Sequence, residues 1–420
     1  MTNRERMMKV VRHEVPDRVP IKFHTRGEIQ PALLKRLGLS GLEEAQRFFG
    51  ADGWGGVGVG IDFPGYRERC NGRLDGHMMF GGRDYVFHDE RTFEDAWGTV
   101  RRVGTDRRLV QWVDGPLARL DDPDDYDWPG PARLLIPDDL AERVRRQQAQ
   151  GLWVSGGVTQ PFKLAWELRG LENFLADYLG DPAFVERTYD HIYEMETAMG
   201  VAFARAGVDE FGIGGDIAMQ DRVLMGPDRW RRIDKPRLAA MIAEVKRVKP
   251  DIQVFMHSDG DLTAIMPDLV EVGFTIIDPI QPECMDVVEV KKRWGREIVV
   301  HGTIGVQSTL PFGTVEEVRA EVRRRIEDMA WDGAFVLRAA NEIMYDVPVE
   351  NIVACFETAR DYDLSRLPGR PAWAAYDLIP AEPSIWIAGP AGRVVSKYSG
   401  YRQGDERVYH QELLQLVQCG

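Results

Sequence analysis

The chain has 420 residues, 44% hydrophobic and 29% charged, which is enough apolar matter for a sizeable core and argues against a disordered chain. A net charge of -14 argues against a nucleic-acid partner, because a phosphate backbone asks for a basic surface. Four scattered cysteines, Cys70, Cys284, Cys355 and Cys419, show no CxxC spacing and so neither a disulfide framework nor a zinc ribbon.

The opening stretch MTNRERMMKVVRHEVPDR lacks the apolar core of a signal peptide. No run approaches the roughly 20 apolar residues of a membrane span, so a cytoplasmic protein without a membrane partner is expected. Residues 2–13 read as a helix capped by Thr2. Arg18 to Phe23 reads as a strand, and His24 and Arg26 at its end are candidate substrate contacts. The glycines of residues 53–60 precede no helix, so they fail the structural test for a phosphate loop. Alternating stretches at Met78–Phe80, Tyr85–Phe87 and Val100–Val103 suggest small antiparallel strands. Residues 50–130 are therefore expected as an irregular insertion, with Trp54, Phe63 and Trp97 available to line an apolar pocket. The acidic, proline-rich residues 114–131 read as a solvated surface crossing.

From residue 134 the pattern is regular. A helix is expected from Asp138 to about Gln150, then a strand at Leu152–Val158 ending near Gln160, then a helix from Phe162 to Tyr178. Asp181-Pro182 is a favoured helix start and opens a helix to about Ala206. The strand Val208–Ile213 ends in Gly214, Gly215, Asp216 and Gln220. Asp228 is expected to cap a short helix, with a second from Pro236 to Arg247.

The stretch Ile252–Glu283 carries the densest chemistry. An apolar run at Val254–Met256 breaks into His257, Ser258, Asp259, Gly260 and Asp261. A helical pattern follows and stops at Gly273. A second apolar run, Phe274–Ile277, ends in Asp278, Pro279, Gln281 and Glu283. Further on, a strand at Ile298–Ile304 contains His301, and Thr314 with Glu317 forms a capping box. A last strand, Ala334–Leu337, ends in Arg338, Asn341 and Glu342 before a helix over 349–361. Strands alternate with helices, and one strand end after another is polar. This favours an α/β fold of the (β/α)8 TIM-barrel type over residues 1–365, with its site at the strand carboxyl ends. Residues 366–420 are expected as an irregular C-terminal arm, ending in a short helix at 408–417, that packs on its own barrel or on a neighbour in a homodimer.

The phrases PDRVP (16–20), WELRGLENFLADYLGDPAFVE (166–186), GGDIAMQ (214–220), FMHSDG (255–260), DPIQPECMD (278–286), LPFGTVEEV (310–318) and DVPVENI (346–352) resemble the uroporphyrinogen decarboxylase superfamily, in order over roughly residues 4–360. The resemblance implies a (β/α)8 barrel and one of two chemistries. One is metal-free decarboxylation of tetrapyrrole acetates. The other is methyl transfer between a small substrate, a corrinoid carried by a partner protein, and a thiol. The decarboxylases carry an arginine-rich motif of the type RQAGR after the first strand; this chain has HTRGE (24–28), which leaves only Arg26. The methyltransferases hold zinc through a His-x-Cys motif and a second Cys. Here His257 is kept, Asp259 stands for the first Cys, and the second falls near Asn341, beside Glu342.

The resemblance thus implies a harder ligand set, His257, Asp259, Asn341 and Glu342, for zinc or another divalent ion. Without a metal, Asp259 could act as a proton acceptor. The expected catalytic groups are His257, Asp259 and Asp216. Substrate contacts are expected from His24, Arg26, Trp54, Gln160, Gln220, Gln281, His301 and Arg338. The favoured function is transfer of a methyl group from a small O-methyl-type substrate to a corrinoid protein or thiol. The alternative is a metal-free carboxy-lyase with no cofactor, and a third is a non-catalytic binding protein.

Overall fold

The protein is described here by a computed structural model, which covers residues 1–75, 77, 80–106 and 108–375 (372 and 375 by backbone alone) and the backbone of 385–388 and 394–398. Its contacts divide the chain into two units, Met1–Leu367 and Pro368–Gly420. In the second, Ile385–Ala388 pairs antiparallel with Val394–Tyr398. Met78 and the helix expected at 408–417 lie outside the described residues.

The first unit is built on a seven-stranded sheet. Its strands are β1 (Trp54–Gly56), β2 (Trp153–Thr159), β3 (Glu210–Gly214), β4 (Gln253–His257), β5 (Ile276–Asp278), β6 (Val299–His301) and β7 (Phe335–Val336). Every neighbouring pair is parallel, as helical crossovers require. Beyond β7, the extended segment around Ile21 makes a parallel bridge to Leu337. On its other side Ile21 accepts a hydrogen bond from the backbone N–H of Asp52, at 2.8 Å. The sheet curls in a way compatible with a TIM-type barrel. Pro20 has no N–H to give, and the expected strand at 18–23 is reduced to isolated bridges at Ile21 and Thr25. Trp54–Gly56 was expected inside the insertion but pairs with β2 in the main sheet.

Apart from the first, which packs on the inner face, the helices lie outside the sheet. They are α1 (Asn3–Val10), α2 (Leu140–Ala149), α3 (Pro161–Arg169), α4 (Pro182–Ala206), α5 (Pro227–Val248), α6 (Met266–Val272), α7 (Val287–Trp294), α8 (Val315–Met329) and α9 (Val349–Asp361), with short pieces between. Thr2 and Glu5 form a capping box on α1, and Thr314 and Glu317 one on α8. The helix expected from Phe162 to Tyr178 is two, because Gly170 takes φ 89° and ends the first, a conformation open chiefly to glycine. Conversely α5 runs through Pro236 as one helix, and Gly226, not Asp228, precedes it.

Strand alternation sorts the core. Outward residues such as Ile21, Phe23, Val254 and Ile277 join the large core against the helices. Inward residues Trp153, Ile276, Val299, Ala334 and Val336 form a smaller cluster with Met7 and Val10 of α1. Helix α1 therefore packs against the inner face of the sheet. A five-stranded antiparallel sheet between Gly72 and Asp114 has its own core of Leu74, Tyr85, Phe93 and Val103. It is fixed to α3 through Arg101, which bonds Glu167 at 3.0 Å, and Trp112, whose Nε1 donates to the Glu167 carbonyl at 2.8 Å. Its Arg108 lies 4.0 Å from the Tyr345 ring, beyond β7. Among the described residues no helix is long and apolar enough to cross a membrane.

Candidate functional site

Parallel register brings the polar strand ends to one level. His257 is the Cα partner of Gly214 on one side and of Asp278 on the other. Asp278 is buried, and three cationic or imidazole groups converge on it. His257 Nδ1 lies 2.9 Å from Oδ2, Arg338 Nη1 donates to the same oxygen, and His301 Nδ1 bonds Oδ1. Burial works to raise the Asp278 pKa, but the charge of Arg338 and then the two histidines hold it well below the usual carboxylate range. Burial pushes His257 down instead, and the hydrogen bond and charge of Asp278 outweigh it, so its pKa rises. His301, buried deeper, is pushed down to about 4 and is neutral near pH 7.

Because Asp278 occupies Nδ1 of His257, Nε2 is the nitrogen left for other work, the arrangement of a carboxylate-oriented metal histidine. His257, Asp259 and Asp216 each offer a ligand atom, and these atoms lie within 4.8 Å of one another. The Asp259 backbone N–H donates to Asp216 Oδ1 at 3.0 Å, and Asn341 Nδ2 donates to Asp259 Oδ2. Oδ1 of Asp259 is buried, and among the described residues no hydrogen bond reaches it. Burial raises the Asp259 pKa to about 6; the charge of His257 opposes this, while Asp216 and Asp278 add to it. Crowded carboxylates with an unpartnered buried oxygen are a donor set that a divalent cation fits.

The other expected ligands lie differently. Asn341 turns its amide nitrogen to Asp259, and its Oδ1 accepts from the Glu342 N–H. Glu342 pairs with His24 Nδ1 at 2.7 Å, and this bond lowers its pKa against the effect of burial. The acidic and imidazole cluster thus adds Asp216 to His257 and Asp259, with Asn341 touching it through Asp259.

The three glutamines expected to orient substrate brace loops. Gln160 caps α3 by accepting from Phe162 N, Gln281 accepts from Gly260 N at 3.0 Å, and Gln220 donates to Gln307 at 3.1 Å. Glu283 likewise accepts from Gln307 N and the Ser308 hydroxyl. Cys284 Sγ lies 2.9 Å from Gln220 Oε1, and burial raises its pKa to about 11, which makes it a poor nucleophile. Arg26 Nε approaches Glu28 at 3.9 Å without a hydrogen bond, and among the described residues no hydrogen bond reaches the buried Nε of Arg338. Trp54 lies on the inner face of the sheet beside Lys22, whose Nζ is 5.3 Å from its ring.

Three residues of this interior were not among the expected site residues: Asp278, Lys22 and Glu210, whose Oε2 accepts from Trp153 Nε1 at 2.9 Å. The signal was a charged side chain at the inward position of an apolar strand. A groove of about 460 Å³ lies elsewhere, between α8 and α9, lined by Arg319, Arg323, Glu327, Glu357 and Asp361 among others. It contains none of the strand-end residues.

A model of the uroporphyrinogen decarboxylase (URO-D) family matches residues 112–362. The chain belongs to the URO-D family. The matched span runs from the last strand of the antiparallel sheet through α9, so it includes Asp216, His257, Asp259, Asp278 and Arg338 but not Lys22 or Trp54. Among solved structures, a methyltransferase from Methanosarcina mazei is similar at a TM-score of 0.56 and 19% identity, with 86% of this chain and 98% of that chain covered. A GH27 β-L-arabinopyranosidase from Geobacillus stearothermophilus is similar at a TM-score of 0.32 and 12% identity, covering 84% and 78%. No curated protein matches. The URO-D relationship establishes the superfamily, and the reaction has to be argued from the site.

Proposed function

We propose that this URO-D family protein is a methyltransferase. It moves a methyl group from a small O-methyl-type substrate to a corrinoid protein or a thiol, in the cytoplasm, on a closed (β/α)8 barrel formed by residues 1–365 with 366–420 as an arm. The observation that carries this reading is the cluster of Asp216, His257 and Asp259, with the unpartnered Asp259 Oδ1 and the free Nε2 of His257. The resemblance in fold to the Methanosarcina mazei methyltransferase supports it.

Asp216, His257 and Asp259 would hold a divalent cation, zinc being the ion the family implies. Bound there, it would act as a Lewis acid on the leaving oxygen or lower the pKa of an acceptor thiol. Asp278 keeps His257 in the tautomer that directs Nε2 away from it. Arg338 answers the Asp278 charge, and Asn341 holds the Asp259 carboxylate in place. Glu342 is held by His24 Nδ1 at 2.7 Å.

Metal analysis of the purified protein tests this directly. About one divalent ion per chain is expected, with loss in His257→Ala and Asp216→Ala, along with cobalamin-dependent loss of methyl from an aryl methyl ether. A metal-free wild type without that reaction would overturn the proposal. The buried Nε of Arg338, which no hydrogen bond reaches among the described residues, favours a second reading, a carboxy-lyase without metal, which would release CO2 from a carboxylated substrate in the presence of chelator.

A further inference from the structure

We propose that Lys22, together with Arg338, Trp54 and Phe255, forms an anion subsite inside the sheet that takes the carboxylate of a small planar acid. This deepens the methyl-transfer reading by naming the substrate class, and it rests on that reading only for what happens at the other end of the substrate.

The placement follows from strand alternation. Ile21 and Phe23 are buried in the outer core, so Lys22 between them points inward. Its Nζ lies 5.3 Å from the centroid of the Trp54 ring and 5.4 Å from that of Phe255. Among the described residues no hydrogen bond or ion pair reaches this ammonium. Glu210 faces the same interior but is bonded to Trp153 and does not close on Lys22. Lys22 is half-buried and without a direct counter-ion; burial and then the charge of Arg338 lower its pKa, against the charges of Glu210, Asp278 and Glu342, none of which bonds it.

Arg338 stands beside it. The bridge between Ile21 and Leu337 and the bond from Lys22 N to the Leu337 carbonyl at 3.0 Å put the residues that follow, Lys22 and Arg338, on the same inward face of adjacent strands. Arg338 spends Nη1 on Asp278 and leaves Nε buried without a partner. A bound carboxylate would answer the Lys22 charge and take the spare Arg338 donor. The two rings favour a planar body behind that carboxylate. The glycines beside Trp54 form strand, not an anion-binding loop, so the recognition here belongs to side chains. Asp216 and Asp259 bring the opposite sign from the β3 and β4 ends. A substrate with its acid end on Lys22 would present its far end to His257, Asp216 and Asp259.

The test is calorimetric titration of the full chain with benzoate and with uncharged benzamide, before and after EDTA treatment. Benzoate is expected to bind in both metal states, and benzamide about 10-fold more weakly or less. Lys22→Met should lose about 10-fold or more for benzoate, while Lys22→Arg stays within a few-fold of wild type. Equal binding of benzoate and benzamide, no benzoate binding by wild type at millimolar concentration, or undiminished binding by Lys22→Met would each overturn the subsite. If Lys22→Met fails to fold, the benzoate–benzamide comparison on wild type and the Lys22→Arg variant still decide. Charge discrimination in a protein that proves metal-free would leave the subsite standing while the methyltransferase reading falls.

Discussion

Two fully buried carboxylates sit in different layers of this molecule and have opposite electrostatics. Asp278, at the end of β5, is surrounded by Arg338, His257 and His301 and is held well below its ordinary pKa. Asp234, in α5 of the helical layer, is met by the hydroxyls of Tyr178 and Tyr189, at 3.1 and 3.0 Å. Burial pushes it up to about 7, and the two phenol hydrogen bonds only partly oppose this. Burial is the same and the partners differ. Cations keep a carboxylate charged and able to orient other groups, whereas neutral donors let it keep its proton and serve packing. The charged case lies where the chemistry is proposed, and the neutral one lies behind it.

The largest expected effect is at Asp278. Asp278→Asn should reduce divalent-cation affinity by about 10- to 100-fold, since it removes the group that orients a ligand histidine. It should also cost roughly 3–5 kcal/mol of stability, because Arg338 is left buried without its counter-charge. The double variant Asp278→Asn/Arg338→Met separates the two losses: urea midpoints should recover while cation affinity does not. If both recover together, Asp278 is a structural ion-pair partner and no more.

The contrast could be read from the sequence only in part. The caps at Thr2 and Thr314 and the start at Asp181-Pro182 could be placed because their donors are local in the chain. The strands β2 to β7 stood out as apolar runs ending in polar residues. Trp54–Gly56 did not, because a three-residue strand rich in glycine has no apolar alternation to detect. His257 and Asp259 were visible as polar residues just beyond a strand. Asp278 was visible in the same way, but nothing local shows that two histidines and an arginine from other strands turn onto it. Lys22 and Glu210 were hidden inside apolar strands, where periodicity gives the face of a side chain but not whether that face is wet. Asn341 bonds Asp259 and Glu342 bonds His24, contacts that nothing local in the sequence announces.

Asp234 gives the second effect, with the opposite pH sign to Asp278. Its folded-state pKa of about 7 lies above the ordinary value of 3.8, so the folded protein holds that proton more tightly than the unfolded chain. The stabilisation this brings is full below about pH 4 and is lost as pH rises through 7. The loss is on the order of a few kcal/mol. Asp278, with its lowered pKa, contributes above pH 3.8 and loses that contribution on acidification. Urea unfolding between pH 5 and 8 should therefore show a decline that Asp234→Asn flattens. A decline that persists unchanged in Asp234→Asn would assign it to other groups and remove half of the contrast.

Glu196, in α4 of the same layer, carries the smallest effect and sharpens the rule. It is buried, its Oε2 has no partner, and burial alone raises its pKa well above the ordinary value. Among the described residues no cation or phenol hydrogen-bonds it, so this carboxyl contributes a desolvation cost and no compensating bond. Glu196→Met, similar in volume and apolar, should raise stability by roughly 1 kcal/mol near pH 7 and leave cation binding unchanged. A comparable loss in the urea midpoint would mean that the carboxyl is satisfied after all, by a buried water with the nearby Tyr193 hydroxyl, itself buried without a partner. In that case the helical layer would be organised by its polar groups as tightly as the strand ends are.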